Sequence, residues 1–137
     1  MTTKEQSLVM IKPDAVKRLL IGQIIQRFEN KGLTISNIKM ATLTPELVAE
    51  HYPHLVEKTF FHEISDFMTS GPSVFMIVEG DNVVEIIRTM IGVTNIVDAA
   101  PGTVRGDFGN AAVYHENVIH ASDSVTSAQE EIKRFFN

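Results

Sequence analysis

Two short segments limit the fold of this chain more than any others. SLVMIK (7–12) and SVFMIVEG (73–80) are apolar at most positions, the pattern of a buried strand. Pro13 stops the first, because it has no amide hydrogen to continue a ladder. Elsewhere the apolar residues change period. Ile21, Ile24, Ile25 and Phe28 recur at helical spacing in 21–32, with Gly32 placed to cap the C-terminus. In 33–41 the alternation shifts phase from Leu33/Ile35 to Ile38/Met40, which predicts a bulged strand near a sheet edge.

Thr44-Pro45 predicts a helix start, with the helix running through Glu50. Phe60, Phe61, Ile64, Phe67 and Met68 predict another, ended by Gly71-Pro72. Asn82–Glu85 fits a capping box ahead of Ile86, Ile87, Met90 and Ile91. Ser127–Glu130 fits a second, opening a helix with the stripe Ala128, Ile132, Phe135 and Phe136. NVIH (117–120) predicts a short strand. The order is β-α-β-(α-α)-β-α-loop-β-α. With the helical hairpin treated as an insertion, the core is βαββαβ, the ferredoxin-like pattern. That is an α+β sandwich: a four-stranded antiparallel sheet with helices on one face. Residues 93–116 show no period, and an ordered loop of that length is usually functional.

The 137 residues fit a single domain spanning 1–137. The lack of cysteine excludes disulfides, thiolate metal sites and cysteine nucleophiles. MTTKEQ lacks the layout of a signal peptide, and no apolar run reaches the length of a membrane span, so a cytoplasmic location is expected. A formal charge of −5 disfavours a protein built to bind nucleic-acid backbones. It leaves room for a phosphorylated small molecule, provided the few cations converge.

The sequence lacks a P-loop, a G-x-G-x-x-G and a G-x-S-x-G. HEISD (62–66) begins like a zinc-protease helix but has Asp66 in place of the second histidine, and Tyr-Pro separates His51 from His54. What remains is cations in unusual places. Lys12 closes a buried strand, Arg88 sits within an apolar helix, and Arg105 lies in PGTVRGD. Singly, each is also explained by a stem covering core edge or by an ordinary loop charge. His120, in NVIHASDS (117–124), taken alone reads first as a hydrogen-bonded polar spacer, with a metal ligand or a nucleophile as the alternatives. Asn117 suits a turn before a strand, and Ser122, Asp123 or Ser124 suits a helix cap. Glu131 fits a solvated helix face, Tyr52, Phe60 and Ile64 fit packing, and Thr94 fits loop filler.

Taken together, these residues resemble the nucleoside diphosphate kinases from end to end. NVIHASDS matches that family's Asn-x-x-His-(Gly/Ala)-Ser-Asp motif. Separate matches are VMIKPDA (9–15), EHY (50–52), TFF (59–61), SGP (70–72), TN (94–95) and PGTVRGDF (101–108). The resemblance implies that His120 is phosphorylated as the nucleophile. It implies that Lys12, Arg88, Thr94 and Arg105 hold phosphates, and that Lys12 and Asn117 also reach the sugar. Phe60 and Ile64 would sandwich the base, while Tyr52, Ser122 and Glu131 would position or polarise His120. It implies nucleoside triphosphates and diphosphates such as ATP, GTP and ADP as partners. Mg2+ would ride on their phosphates, without direct protein ligands and with Asp123 reached at most through water. It also implies a homo-oligomer built from dimers, to which the edge strand 33–41 is suited.

The implied chemistry is physically coherent. Neutral imidazole is a ready nucleophile, a carboxylate can steady the charge it acquires, and phosphoryl transfer needs mainly positioning and neutralisation. A covalent phosphohistidine predicts ping-pong kinetics. Apolar contacts to the base predict low selectivity. Three departures stand out: Ile96 where the family usually has Pro, Leu19 and Ala121 where Gly is common, and a slightly longer stretch between Asp107 and His120. A catalytically inactive nucleotide-binding or interaction module is opposed by the intact Lys12, Arg88, Arg105 and His120. An RNA-binding domain of the same topology is opposed by the net charge and a missing aromatic signature.

Overall fold

In the computed structural model, residues 4–113 and 116–136 are described; Tyr114 and His115 of the aperiodic stretch lie outside them. The two apolar runs form the central strands. β1 (Lys4–Ile11) and β3 (Pro72–Asp81) pair antiparallel, and the sheet is completed by β2 (Thr34–Thr42) and β4 (Ile119–Ala121) in the order β2-β3-β1-β4. Both crossovers skip one strand, as the ferredoxin-like pattern requires. β2 is an edge strand, and its register slips between Ile35 and Asn37 where the apolar phase shifts.

Successive residues of β1 point to opposite faces, and both faces are covered. Val9 and Ile11 pack with α1 (Pro13–Lys17), α2 (Ile21–Asn30) and α5 (Val83–Ile91) through Ala15, Ile24, Phe28 and Ile87. Leu8 and Met10 pack with α3 (Pro45–His51), α4 (Phe61–Met68) and α7 (Val125–Phe135) through Val48, Met68 and Phe135. The helices of the βαββαβ core lie on one face, as expected. The inserted hairpin α3–α4 and the C-terminal α7 add a layer on the other. This second layer matters for function, because it puts α3, α4 and α7 beside the end of β4.

Two helix starts differ from expectation. Asn82 is left-handed (φ 56°) and its side chain caps nothing; instead the amide of Val84 donates to Oε1 of Glu5, 3.3 Å away on β1. α7 begins at Val125, where Ser124 accepts from the amide of Ser127, so Ser127 lies inside the helix. Thr44 does cap α3, accepting from the amide of Leu47 at 3.2 Å.

The loop before β4 holds a short helix, α6 (Val104–Phe108), and is pinned by its PGTVRGDF residues. Asp107 accepts from the amide of Gly102 (2.9 Å) and pairs with Arg27 of α2 (2.7 Å). A Cβ on Gly106 would come within 2.0 Å of the Ala100 carbonyl, so only glycine fits. Asn95 folds the turn carrying buried Ile96, its Oδ1 accepting from the amide of Val97 at 3.0 Å. The end of this loop is tied together by Asn110 and Glu116: the amide of Asn110 donates to the Glu116 carbonyl, and its side chain to the Glu116 carboxylate, both at 3.0 Å.

Candidate active site

The segment that delivers His120 is strained and clamped. Val118 has φ 67°, and the amide of Ile119 donates to the carbonyl of Asn117 at 2.8 Å. This is a γ-turn of the rare, positive-φ kind, costly for a β-branched residue by about 1–3 kcal/mol. Three hydrogen bonds hold it. The Val118 amide donates to Oδ2 of Asp14 (3.1 Å), and its carbonyl accepts from the Lys12 amide (2.8 Å). Nζ of Lys12 donates to Oδ1 of Asn117 at 2.8 Å. The K-P-D sequence after β1 thus fixes the turn from which β4 presents its histidine. Burial pushes the Asp14 carboxyl up, against the Lys12 charge.

His120 lies at the middle of the three-residue β4, half-buried between two fully covered neighbours. Its Nε2 is 3.1 Å from Oε1 of Glu131 on α7, and Oγ of Ser122 donates to that same oxygen at 2.7 Å. Ser122 is fully buried and tied to β1, accepting from the Leu8 amide at 3.0 Å. Burial pushes the Glu131 carboxyl up, but the hydrogen bonds from His120 and Ser122, with the imidazole's charge, hold it below its ordinary value. An ionised carboxylate can only accept. The hydrogen it receives is therefore on Nε2, and Nδ1 of the neutral ring carries the free lone pair.

A cleft of about 630 Å³ opens beside this group. Of the residues expected from sequence, Lys12, Tyr52, Phe60, Ile64, Thr94 and Asn117 line it, joined by Glu63 and Asn95. Phe60 precedes α4 instead of belonging to it, and is 44% exposed. Arg88 and Asp123 lie elsewhere, on the wall of a second depression of about 360 Å³. Arg105 is buried, donating to the carbonyls of Gly92 (3.0 Å) and Ile119 (2.8 Å).

The cations nevertheless act on one another. Burial, then the charge of Arg105, lowers the Lys12 ammonium to about 8. Burial, then Arg88, lowers Arg105 to about 10. Burial, then Glu131, pushes the Tyr52 phenol up to about 12, so it stays a donor. Partly desolvated Lys12 and Arg105, with exposed Arg88 acting on the latter, form a local concentration of positive charge suited to a polyanion.

Asp14 and Arg134 were not singled out from sequence, and His51 entered only as half of a poorly spaced metal-ligand pair. His51 stacks edge-on against His120, with ring centroids 4.7 Å apart, and Arg134 donates to it. The available signal was position alone, since Arg134 follows Glu131 by three residues and so shares its helix face. His51, His120 and Glu131 each place a ligand-type atom within 4.8 Å of the others. Those atoms already engage one another and Arg134, beside Lys12, which makes a poor cage for a free cation.

Comparison with known proteins agrees with this geometry. The sequence profile for nucleoside diphosphate kinase matches residues 5–137. A nucleoside diphosphate kinase of Acetivibrio thermocellus is 52% identical over 134 residues, covering 96% of each chain. One from Methanocaldococcus jannaschii is 51% identical, covering 97% of this chain and 94% of the other. Among solved structures, the Aquifex aeolicus enzyme superposes with a TM-score of 0.90 at 39% identity, covering 98% of this chain and 96% of that one. The Halobacterium salinarum enzyme, solved with CDP, gives 0.92 at 41% identity, covering 98% and 89%. A clamped histidine backed by a carboxylate, a cleft with Lys12 in its wall and near-complete matches to these enzymes lead to one conclusion: the chain belongs to the nucleoside diphosphate kinase family.

Proposed function

We propose that this enzyme moves the terminal phosphate of a nucleoside triphosphate to a nucleoside diphosphate through Nδ1 of His120. The observation that carries the assignment is the Glu131 contact to Nε2, which in the neutral ring puts the hydrogen there and leaves the lone pair on Nδ1. In the first half-reaction Nδ1 attacks the terminal phosphorus. The N–P bond forms as the bridging P–O bond breaks, and the nucleoside diphosphate departs with those electrons. Nε2 keeps its hydrogen, so the ring becomes positive and Glu131 stabilises it. A different diphosphate then enters the same cleft, its terminal oxygen attacks phosphorus, and the ring returns to neutral. Donor and acceptor use one site in turn, which gives ping-pong kinetics.

Lys12, Arg88, Arg105 and Thr94 hold the phosphates, and Lys12 and Asn117 reach the sugar hydroxyls. Phe60 and Ile64 enclose the base by its faces, so base selectivity is low. Tyr52 and Ser122 position the histidine and its carboxylate. Magnesium prefers oxygen ligands, and a bed of Lys12, Arg105 and Arg88 suits its nucleotide complex better than the bare ion. Asp123, exposed beside Arg88, would hold it through water, and the ion would neutralise charge on the phosphates.

The outer edge of β2 carries exposed Ile38 and Met40 and has no partner in the sheet, which favours a homo-oligomer built from dimers paired there. Among the described residues no helix is long and apolar enough to cross a membrane. The assignment is tested with γ-labelled ATP and magnesium, without acceptor. Wild type takes an acid-labile, alkali-stable label that GDP discharges, and His120→Ala takes none. Full labelling of that variant, or none of wild type, refutes it.

A further inference from the structure

Arg134 reaches a histidine to which the phosphoryl-transfer reading gives no role. Its Nη1 lies 2.9 Å from Nδ1 of His51, and its Nε lies 3.6 Å from Oε1 of Glu50. The arginine side chain is only 15% exposed. A guanidinium donates and never accepts. Nδ1 of His51 must therefore accept, which makes the ring neutral with its hydrogen on Nε2.

The neighbourhood gives this tautomer a consequence. The His51 ring stands at 85° to that of His120, and it also packs edge-on against Phe135. One nitrogen of each histidine and one oxygen of Glu131 lie within 4.8 Å of one another. A proton added to His51 would set a second positive charge beside the imidazolium that forms on His120. It would also compete for Glu131.

We propose that Arg134 is a positioning residue for phosphoryl transfer: by donating to Nδ1 of His51 it fixes the tautomer and orientation of that buried ring beside His120 and Glu131. The proposal rests on the assignment of His120 as nucleophile. The groups facing His51 are His120 on β4, Glu131 and Arg134 on α7, Lys12 after β1, and its sequence neighbours Glu50 and Tyr52. Burial lowers His51 most, to about 3, helped by His120, Arg134 and Lys12 and opposed by Glu131. α7 thus carries, one turn apart, the carboxylate that contacts His120 and the cation that orients His51 beside it.

The test uses the full-length protein and its Arg134→Met and Arg134→Lys variants. Ring-nitrogen NMR of the free protein reads the His51 tautomer, and phosphoenzyme formation from ATP is followed from about pH 5 to about pH 8. Wild type shows His51 neutral with Nε2 protonated throughout. In Arg134→Met, His51 stays neutral but its hydrogen is shared between Nδ1 and Nε2, and the phosphorylation rate falls by about threefold to tenfold across the range. Nucleotide KM is unchanged, and Arg134→Lys recovers most of the loss. In a His51→Gln background, Arg134→Met has no further effect on the rate.

A wild-type His51 carrying its hydrogen on Nδ1, or an Arg134→Met profile that overlays wild type, overturns the proposal. A purely structural arginine would lower Tm and leave the tautomer and the rate in place, which also overturns it. The NMR reading is made without nucleotide. Failure to form phosphoenzyme would therefore count against His120 as nucleophile and not against the Arg134–His51 contact.

Discussion

Oε1 of Glu131 lies 3.1 Å from Nε2 of His120, on a carboxylate that Ser122 ties back to β1. The carboxylate selects the tautomer of the free enzyme and faces the positive charge that phosphorylation creates. Hydrogen bonds to charged groups contribute about 1.5–3 kcal/mol. Glu131→Gln should therefore slow phosphoenzyme formation by about tenfold to a hundredfold and leave nucleotide KM nearly unchanged. Single-turnover kinetics separate the two, and a change confined to KM would count against this role.

Lys12 should set the alkaline limit of binding. Burial and Arg105 lower its pKa to about 8 in the free enzyme, below its ordinary 10.5, so the ammonium is neutralised as pH rises past about 8. KM for ADP should climb above that point, with kcat little affected, and Lys12→Met should have a raised KM independent of pH. The sign for stability is opposite to that of a salt-bridged lysine. Between about pH 8 and pH 10.5 the unfolded chain binds more protons than the native one, so stability rises with pH. A KM flat through pH 9 in wild type would contradict the assignment.

Phe60 stands 44% exposed at the mouth of the cleft. Stacking on an aromatic ring contributes about 1–3 kcal/mol per base regardless of its identity. Phe60→Ala should raise KM by about tenfold for purine and pyrimidine diphosphates alike. A loss confined to one base class would mean that the base is read by its edges.

Leu19 closes α1 in the left-handed region (φ 62°) with its side chain 84% exposed. A non-glycine residue there costs about 1–2 kcal/mol, partly offset by the greater freedom glycine has when unfolded. Leu19→Gly should add roughly 1 kcal/mol and raise Tm by about 3 °C. Destabilisation instead would show that this side chain is packed within the assembled protein.

How much the sequence disclosed depends on the distance over which each signal acts. Continuous apolar runs and the phase shift at Ile35–Ile38 are local, and they located β1, β2 and β3 and the bulge. The helices α1 and α6, five residues each, are too short to show a period. Both false capping boxes failed through competition. Glu5 reached Val84 from another strand, and Ser124 offered an earlier cap than Ser127. The second helical layer was missed because the ferredoxin-like pattern describes only the core. The motif residues around His120 were legible because their spacing is distinctive. Asp14, His51 and Arg134 act through contacts made only in the folded chain, as when Asp14 meets Val118 across 104 positions.

The central claim is that Nδ1 of His120 carries the phosphoryl group while Nε2 stays bound to Glu131. The direct measurement is to digest the labelled enzyme under alkaline conditions and identify the phosphohistidine isomer and its position by mass spectrometry and phosphorus NMR. The geometry predicts Nδ1-phosphohistidine at His120. An Nε2-linked phosphate, or a phosphate on His51 or a serine, would contradict it.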